Sequence, residues 1–301
     1  MTAAGQAANS ATPAPGGTAQ LAGRTVARIG FGAMQLEHRA VERDAALAIL
    51  RLAVRAGVNH IDTAQFYGAC NTVIRDALAP YPDDLVLVTK VGADRDAGGT
   101  LVPAQRPEQL RAQIEANLAT LGAGHVGVVN LRRLDARPGL IAEGGQRVDL
   151  DSQLAELAAL RDAGKIGAIG LSNVSASQLG HALPAGIACV QNAYSVLDRS
   201  AEPVLELCRE HGIAWVPFFP LGSGLPNQPK ATGNPTVVAV AQELAATPAQ
   251  VALAWLLAHY DNTLLIPGTS DPAHLAENIA AGSLRLPRAS ATALNQLTGL
   301  A

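Results

Sequence analysis

Eight short apolar runs, each followed by a stretch whose apolar residues recur at helical spacing, constrain this chain more than any other feature. The runs are Gly30–Ala33, Val58–Asp62, Leu85–Lys90, Val126–Leu131, Ile166–Leu171, Ala188–Gln191, Ile213–Phe218 and Thr263–Ile266. They are apolar throughout rather than cleanly alternating, which suits parallel strands covered on the outside. Between them, Ala45, Ile49, Leu52 and Ala56 share a helical face closed by Gly57. Leu110, Ile114, Leu118 and Leu121 form another face after Pro107, and Leu154, Leu157 and Leu160 a third that stops at Gly164. Helices are also predicted over 71–78 and 202–211, and after Asp271-Pro272. Capping boxes at Ser175/Gln178 and Thr247/Gln250 open two more, and 289–300 forms a C-terminal helix. Ahead of the first run, Gln20–Ile29 reads as a hairpin turning at Ala22-Gly23. Eight βα units in 301 residues predict a single (β/α)8 TIM barrel with an N-terminal β-hairpin and a C-terminal helix. A doubly wound sheet competes only through Gly30-Phe31-Gly32, and the third glycine of that fingerprint is replaced by Gln35. Residues 1–17, rich in Ala, Pro, Gly, Ser and Thr, read as a flexible leader, and 18–301 as the barrel domain.

Composition excludes several classes of function. A net charge of −3 with scattered Lys and Arg gives no nucleic-acid footprint. No apolar run reaches the roughly 18 residues of a membrane helix, and the leader lacks the basic and apolar regions of a signal peptide. Cys70, Cys189 and Cys208 show no ligand spacing, so neither a disulfide framework nor a metal site is expected, and a reducing cytoplasm fits. Oligomeric state is left open.

In a parallel barrel the carboxyl ends of the strands carry the chemistry. The second run ends on Asp62 with Tyr67 five positions on, the third on Lys90. The fourth gives Asn130 and Arg132, the fifth Ser172 and Asn173, the sixth Gln191. A buried Lys90 needs a counter-charge, which Asp62 supplies, and the pair places a cation beside the Tyr67 hydroxyl, favouring release of its proton. The plainer alternatives are that Asp62 caps the next helix while Tyr67 packs, or that the ion pair only closes the barrel end; both leave the amide cluster unexplained. Cys70 reads as a small packer, Trp215 and Trp255 as core, and His60 as facing away from Asp62.

The motifs Gly-Phe-Gly-Ala-Met (30–34), His-Ile-Asp-Thr-Ala-Gln-Phe-Tyr-Gly (60–68), Val-Thr-Lys-Val-Gly (88–92), Gly-Leu-Ser-Asn-Val (170–174), Val-Gln-Asn-Ala-Tyr (190–194), Pro-Phe-Phe-Pro-Leu-Gly (217–222) and Ile-Pro-Gly-Thr-Ser (266–270) resemble the aldo-keto reductase superfamily from about Leu21 to Asn278. The resemblance implies a barrel that binds NADPH (NADP+) in extended form and reduces a small-molecule carbonyl. It implies Tyr67 as general acid, Lys90 as its activator and Asp62 as the partner of Lys90. Ser172, Asn173 and Gln191 match positions that hold the nicotinamide carboxamide, and Phe218 the ring that stacks on it. Gly32, Ala33 and Met34 also fall at the cofactor. Leu221 and Gly222 open a loop to about Lys230 over the pyrophosphate. Gly268, Thr269, Ser270, His274 and Asn278 fall around the adenosine 2′-phosphate, where a helix N-terminus favours an anion.

Two positions depart from the family pattern. Arg132 takes the place of the usual histidine after the fourth strand, with Asn130 on the same face; either can donate to a developing oxyanion. A guanidinium there cannot shuttle a proton and favours a substrate with an anionic or hydrogen-bonding ring substituent. His274 stands where many members grip the 2′-phosphate with arginine, so the preference for NADPH over NADH is expected to be weaker. Strand four and the loops after strands seven and eight resemble a bacterial pyridoxal reductase (pyridoxine 4-dehydrogenase) subgroup. The alternatives are a broad aryl-aldehyde or ketone reductase of specialised metabolism, or a nucleotide-sensing regulatory subunit of a membrane channel. Against the last, Asp62, Tyr67 and Lys90 are all present and no partner-docking insertion is visible.

Overall fold

The computed structural model describes residues 13–37, 41–136, 139–222 and 229–297. The chain opens with an antiparallel hairpin, β1 (Thr18–Leu21) and β2 (Arg24–Ala27). Ala22 and Gly23 both take positive φ, 52° and 74°, the combination a two-residue hairpin turn needs to match strand twist. Within the stretch read as a leader, the Pro15 and Gly17 carbonyls accept from the Ile29 and Arg28 amides at 3.1 and 2.9 Å, so this part is tied to the barrel. Residues 1–12 lie outside the described residues.

Next come β3 (Phe31–Gly32), β4 (His60–Asp62) and β5 (Val86–Val91), then a second hairpin, β6 (Ala93–Arg95) with β7 (Leu101–Pro103). They are followed by β8 (Val126–Arg132), β9 (Ile166–Ser172), β10 (Ile187–Gln191) and β11 (Ala214–Trp215). A parallel sheet runs in the order β3-β4-β5-β8-β9-β10-β11. The run Thr263–Ile266 closes it without being a regular strand. Parallel bridges join Thr263 to Trp215 and Leu265 to Ile29, and the Leu264 and Gly30 amides donate to the Trp215 and Leu265 carbonyls at 2.8 and 2.7 Å. The ring is thereby complete, the (β/α)8 barrel expected from the sequence. Its seam is irregular because the closing run ends at Pro267, which has no N–H for a ladder.

Helices α1 (Arg43–Arg55), α2 (Cys70–Leu78), α3 (Pro107–Leu121), α4 (Leu150–Asp162) and α5 (Ala176–Ala182) cover the first strands. After them come α6 (Glu202–Glu210), α7 (Pro235–Glu243), α8 (Pro248–His259), α9 (Pro272–Ala280) and α10 (Arg288–Asn295). Ser175 and Thr247 form the two expected capping boxes, and Asp271 caps α9. The C-terminal helix begins at Arg288, one residue earlier than expected, and stops at Asn295, with 298–301 outside the described residues. No single helix among the described residues is long and apolar enough to cross a membrane.

Strand side chains alternate between two cores. One lies inside the barrel and holds Val86, Val88, Val128, Cys189, Val216 and Leu264, with Ala19, Leu21 and Val26 of the first hairpin plugging its floor. The other fills the shell between sheet and helices and includes Ile61, Leu87, Val91, Val129, Leu131, Leu171 and Trp215, with Trp255 of α8. The interior stripe therefore runs Val86-Val88-Lys90 on β5, Val128-Asn130-Arg132 on β8 and Cys189-Gln191 on β10. Apolar rungs below and polar rungs at the carboxyl ends follow from this parity alone.

Candidate active site

At the carboxyl end of these stripes Lys90, Arg132 and Gln191 join Asp62 of β4 and Ser172 of β9 at the barrel mouth. Lys90 Nζ and Asp62 Oδ1 form an ion pair with both side chains about 95 % shielded (5 % and 4 % exposed). Gln191 Nε2 donates to the other carboxylate oxygen at 2.7 Å, and Lys90 also reaches the Thr63 carbonyl at 3.4 Å. Asp62 is thus fully engaged inside the barrel; α2 is capped by Ala69 without any side-chain bond. Burial works to discharge Lys90, but the Asp62 carboxylate and then Tyr67 outweigh it and hold the ammonium above its ordinary pKa.

Tyr67 stands half-buried in the turn between β4 and α2, with its amide on the Ala64 carbonyl and its own carbonyl accepting from Cys70, both at 3.0 Å. The Lys90 ammonium lies 5.2 Å from the centre of its ring. Cys70 packs below, its thiol on the Ala33 carbonyl, in the packing role expected.

Ser172 and Gln191 face one another across adjacent strand ends. Ser172 Oγ and Gln191 Oε1 are buried and have no partner among the described residues. One is a hydroxyl able to donate, the other a carbonyl able to accept, which is the pair a carboxamide requires. Asn173 follows in a left-handed conformation (φ 59°), its Nδ2 donating to the Arg133 and Ala136 carbonyls at 3.1 and 3.3 Å. Phe218 lies edge-to-face with Phe219 at 5.1 Å, and its ring centre is 5.9 Å from the Arg132 guanidinium carbon.

The two candidates for the fourth-strand donor differ in depth. Asn130 is wholly buried, level with Lys90 in register, packed against Gly170 and accepting from the Cys189 thiol at 3.3 Å. Arg132, at the end of β8 opposite Ser172, is only partly buried and faces the mouth. Burial pulls its pKa below that of a free arginine, with Tyr67 opposing.

Along the rim from β3 to α9, the backbones of Gly32 and Gly268 pass so closely that a Cβ on either would strike the other segment, at the Ile266 or the Gly32 carbonyl oxygen. Ala33 is buried beside them and Met34 is 45 % exposed, an open large apolar side chain. Leu221 and Gly222 are part-buried and Gly222 bridges to Lys230; 223–228 of that loop lie outside the described residues. Thr269 Oγ1 accepts from the Asp271 amide at 3.0 Å, and Ser270 and His274 are exposed, His274 Nδ1 lying 3.9 Å from Asp271. Asn278 is part-buried on the same helix. Among the described residues no group of three or more His, Cys, Asp or Glu is placed to hold a metal ion.

His60 departs from expectation. It was expected to face away from Asp62, but strand residues two apart share a face, and both line the same interior pocket with Val88, Cys189 and Leu264. Its ring rests against Gly30, and neither nitrogen has a partner among the described residues. Burial lowers its pKa from 6.5 to about 4. The unfolded chain takes up a proton near 6.5 and the folded chain only near 4, so the unfolded state binds more protons in between and stability rises with pH there. This contribution is complete above pH 6.5 and is lost, to roughly 3 kcal/mol, as pH falls toward 4. His60→Asn is expected to flatten the unfolding free energy across that window; chemical denaturation at several pH values checks this, and equal slopes for variant and wild type would contradict it.

Two supporting arrangements escape a motif reading. Arg95 on β6 donates to the Phe66 and Gly99 carbonyls at 2.9 and 2.7 Å and pairs with Glu37 at 2.5 Å, holding the turn that carries Tyr67. The hairpin that bears Arg95 was legible only through its Asp96-Ala97-Gly98-Gly99 turn. Asn117 of α3 accepts from Asn71 and Thr89 at 2.9 and 2.7 Å, and Thr63 donates to Asn71 at 2.9 Å. That network fastens two helices to the strands carrying Asp62 and Lys90.

Comparison with known proteins identifies the family. A family model described as aldo/keto reductase family matches residues 28–298. The chain is 43% identical over 291 residues to pyridoxine 4-dehydrogenase of Escherichia coli K12, covering 94% of this chain and 98% of that one. Among solved structures, a thermostable aldo-keto reductase crystallised with the inhibitor epalrestat superposes with a TM-score of 0.77 at 25% identity, covering 93% of this chain and 99% of that one. An aldo-keto reductase from Klebsiella pneumoniae in complex with NADPH gives 0.77 at 23% identity, covering 93% and 94%. The barrel with its buried Asp–Lys pair and rim tyrosine belongs to the aldo/keto reductase family.

Proposed function

We propose that this protein is an NADPH-dependent carbonyl reductase that interconverts pyridoxal and pyridoxine, with Tyr67 as the proton donor. One observation carries the reading. A half-buried phenol stands beside a lysine neutralised by a buried carboxylate, at the same mouth where Ser172 Oγ and Gln191 Oε1 are unpartnered. The nicotinamide, when bound, supplies the hydride. Ser172 and Gln191 would hold its carboxamide, with Asn173 and Phe218 beside them. The Gly32–Gly268 approach, Ala33, Met34, Leu221 and Gly222 would line the rest of the cofactor's path, and Thr269, Ser270, His274 and Asn278 its phosphate end. The 43% identity to a pyridoxine 4-dehydrogenase supports the substrate. Three buried free thiols support a cytoplasmic location.

Each residue acts at a stated atom. Tyr67 gives its hydroxyl proton to the carbonyl oxygen as charge builds there, and Lys90 favours that transfer by standing over the same phenol. Asp62 keeps Lys90 charged and in place. Gln191 links the two halves of the site, donating to Asp62 through Nε2 while its unpartnered Oε1 would accept from the cofactor's carboxamide. Arg132 donates to the developing oxyanion from the strand end and is better placed for it than Asn130, which is sealed below. The test is the absorbance of NADPH with pyridoxal present. Its oxidation at a rate proportional to enzyme supports the reading, and the absence of oxidation with pyridoxal and with a panel of other aldehydes overturns it.

A further inference from the structure

The geometry points to Arg132 as the reader of an anionic oxygen borne next to the substrate carbonyl, so that the protein selects carbonyl compounds carrying such an oxygen over their neutral isosteres. This rests on the carbonyl-reduction reading above and adds what that reading leaves open, the atom that sorts one aldehyde from another.

Arg132 differs from the other buried or half-buried arginines. Arg133, one residue on, is committed to Asp135, Gln153 and the Val148 carbonyl. Arg95 and Arg28 are likewise held by carbonyls or a carboxylate. Arg132 makes no ion pair or side-chain hydrogen bond among the described residues, and its Nε is buried without a partner. A guanidinium taken partly out of water without an acceptor is strongly unfavourable, so its natural complement is an anion brought by a ligand. The local charge balance agrees. Asp62 cancels Lys90, and Asp135, the carboxylate three residues along, is taken by Arg133 and Gln178. Among the described residues one positive charge therefore remains at the mouth, beside Tyr67 and under the Phe218 ring.

The fork of a guanidinium presents two parallel donors that fit two oxygens at once. A carbonyl oxygen directed at Tyr67 would occupy one donor. The other then meets a substituent two carbons from the carbonyl carbon, as in an ortho-hydroxy aryl aldehyde, or one on the adjacent carbon, as in a 2-oxo acid. Phe218 closes the face above the guanidinium, which favours a flat substrate.

The experiment compares salicylaldehyde, at a pH above the pKa of its phenol so that the oxygen is ionised, with 2-methoxybenzaldehyde and benzaldehyde, using the full chain and NADPH. The expected wild-type kcat/KM favours salicylaldehyde by roughly 10- to 100-fold, carried mainly in KM, the scale of one charge-assisted hydrogen bond. In Arg132→Met that ratio is expected to collapse to within a few-fold, and Arg132→Lys, which keeps the charge without the fork, to fall between. Equal kcat/KM for the three aldehydes in wild type, or an unchanged ratio in a folded Arg132→Met, overturns the inference. If no aldehyde is reduced at all, the carbonyl-reduction reading fails by itself. Titration of the chain with salicylate and with benzyl alcohol, followed by tryptophan fluorescence, then decides: tighter salicylate binding that Arg132→Met abolishes supports the anion site, and its absence overturns it.

Discussion

Tyr67→Phe is expected to lower kcat for pyridoxal reduction by about 100- to 10,000-fold, the range of a single general acid, while NADPH binding stays within a few-fold of wild type. The ring is held by packing that the substitution preserves, edge-to-face on Phe66 at 5.2 Å and against the Lys90 ammonium at 5.2 Å. Only the proton is removed. The turn that positions it is built from backbone bonds to Ala64 and Cys70 and from Arg95 on Phe66, none of which uses the hydroxyl. Steady-state NADPH oxidation measures the first quantity and quenching of tryptophan fluorescence by NADPH the second. A kcat within ten-fold of wild type would remove Tyr67 from its role.

Lys90→Met is expected to cost both activity and about 3–5 kcal/mol of stability, because it leaves the Asp62 carboxylate buried with only Gln191 donating to it. Asp62→Leu combined with Lys90→Met is expected to recover most of that stability and none of the turnover, since a buried ion pair contributes little net free energy over an apolar pair of similar size. Urea unfolding of the single and double variants separates the two effects. A Lys90→Met protein as stable as wild type would mean that the pair is not sealed from water as the geometry has it. A double variant that turns over substrate would mean that Lys90 has no part in the proton's path.

The sequence carries the site better than it carries the seam of the barrel. β5, β8, β9 and β10 are long apolar runs ending in polar residues, and parity along each strand delivers Lys90, Arg132, Ser172 and Gln191 to one mouth. The seam resists reading because β3 and β11 keep only two ladder residues each and Thr263–Ile266 contributes isolated bridges; apolar composition reports burial, not hydrogen-bond register. His60 shows how a parity slip of one residue misplaces a side chain across the sheet. The bond from Gln191 to Asp62 spans 129 positions in the chain, and no local pattern encodes it. The Arg95 clamp was hidden for a related reason. Its hairpin lies in a polar stretch whose only structural signal is a glycine pair, and its acceptors are backbone carbonyls, which any residue provides.

A crystal structure of the full chain with NADP+ bound addresses the core of the account most directly. The expected result places the carboxamide on Ser172 Oγ and Gln191 Oε1, with the reacting ring carbon facing the Tyr67 hydroxyl across the barrel mouth. A nicotinamide seated away from that mouth, or a carboxamide held by other groups while Ser172 and Gln191 stay unpartnered, would contradict it.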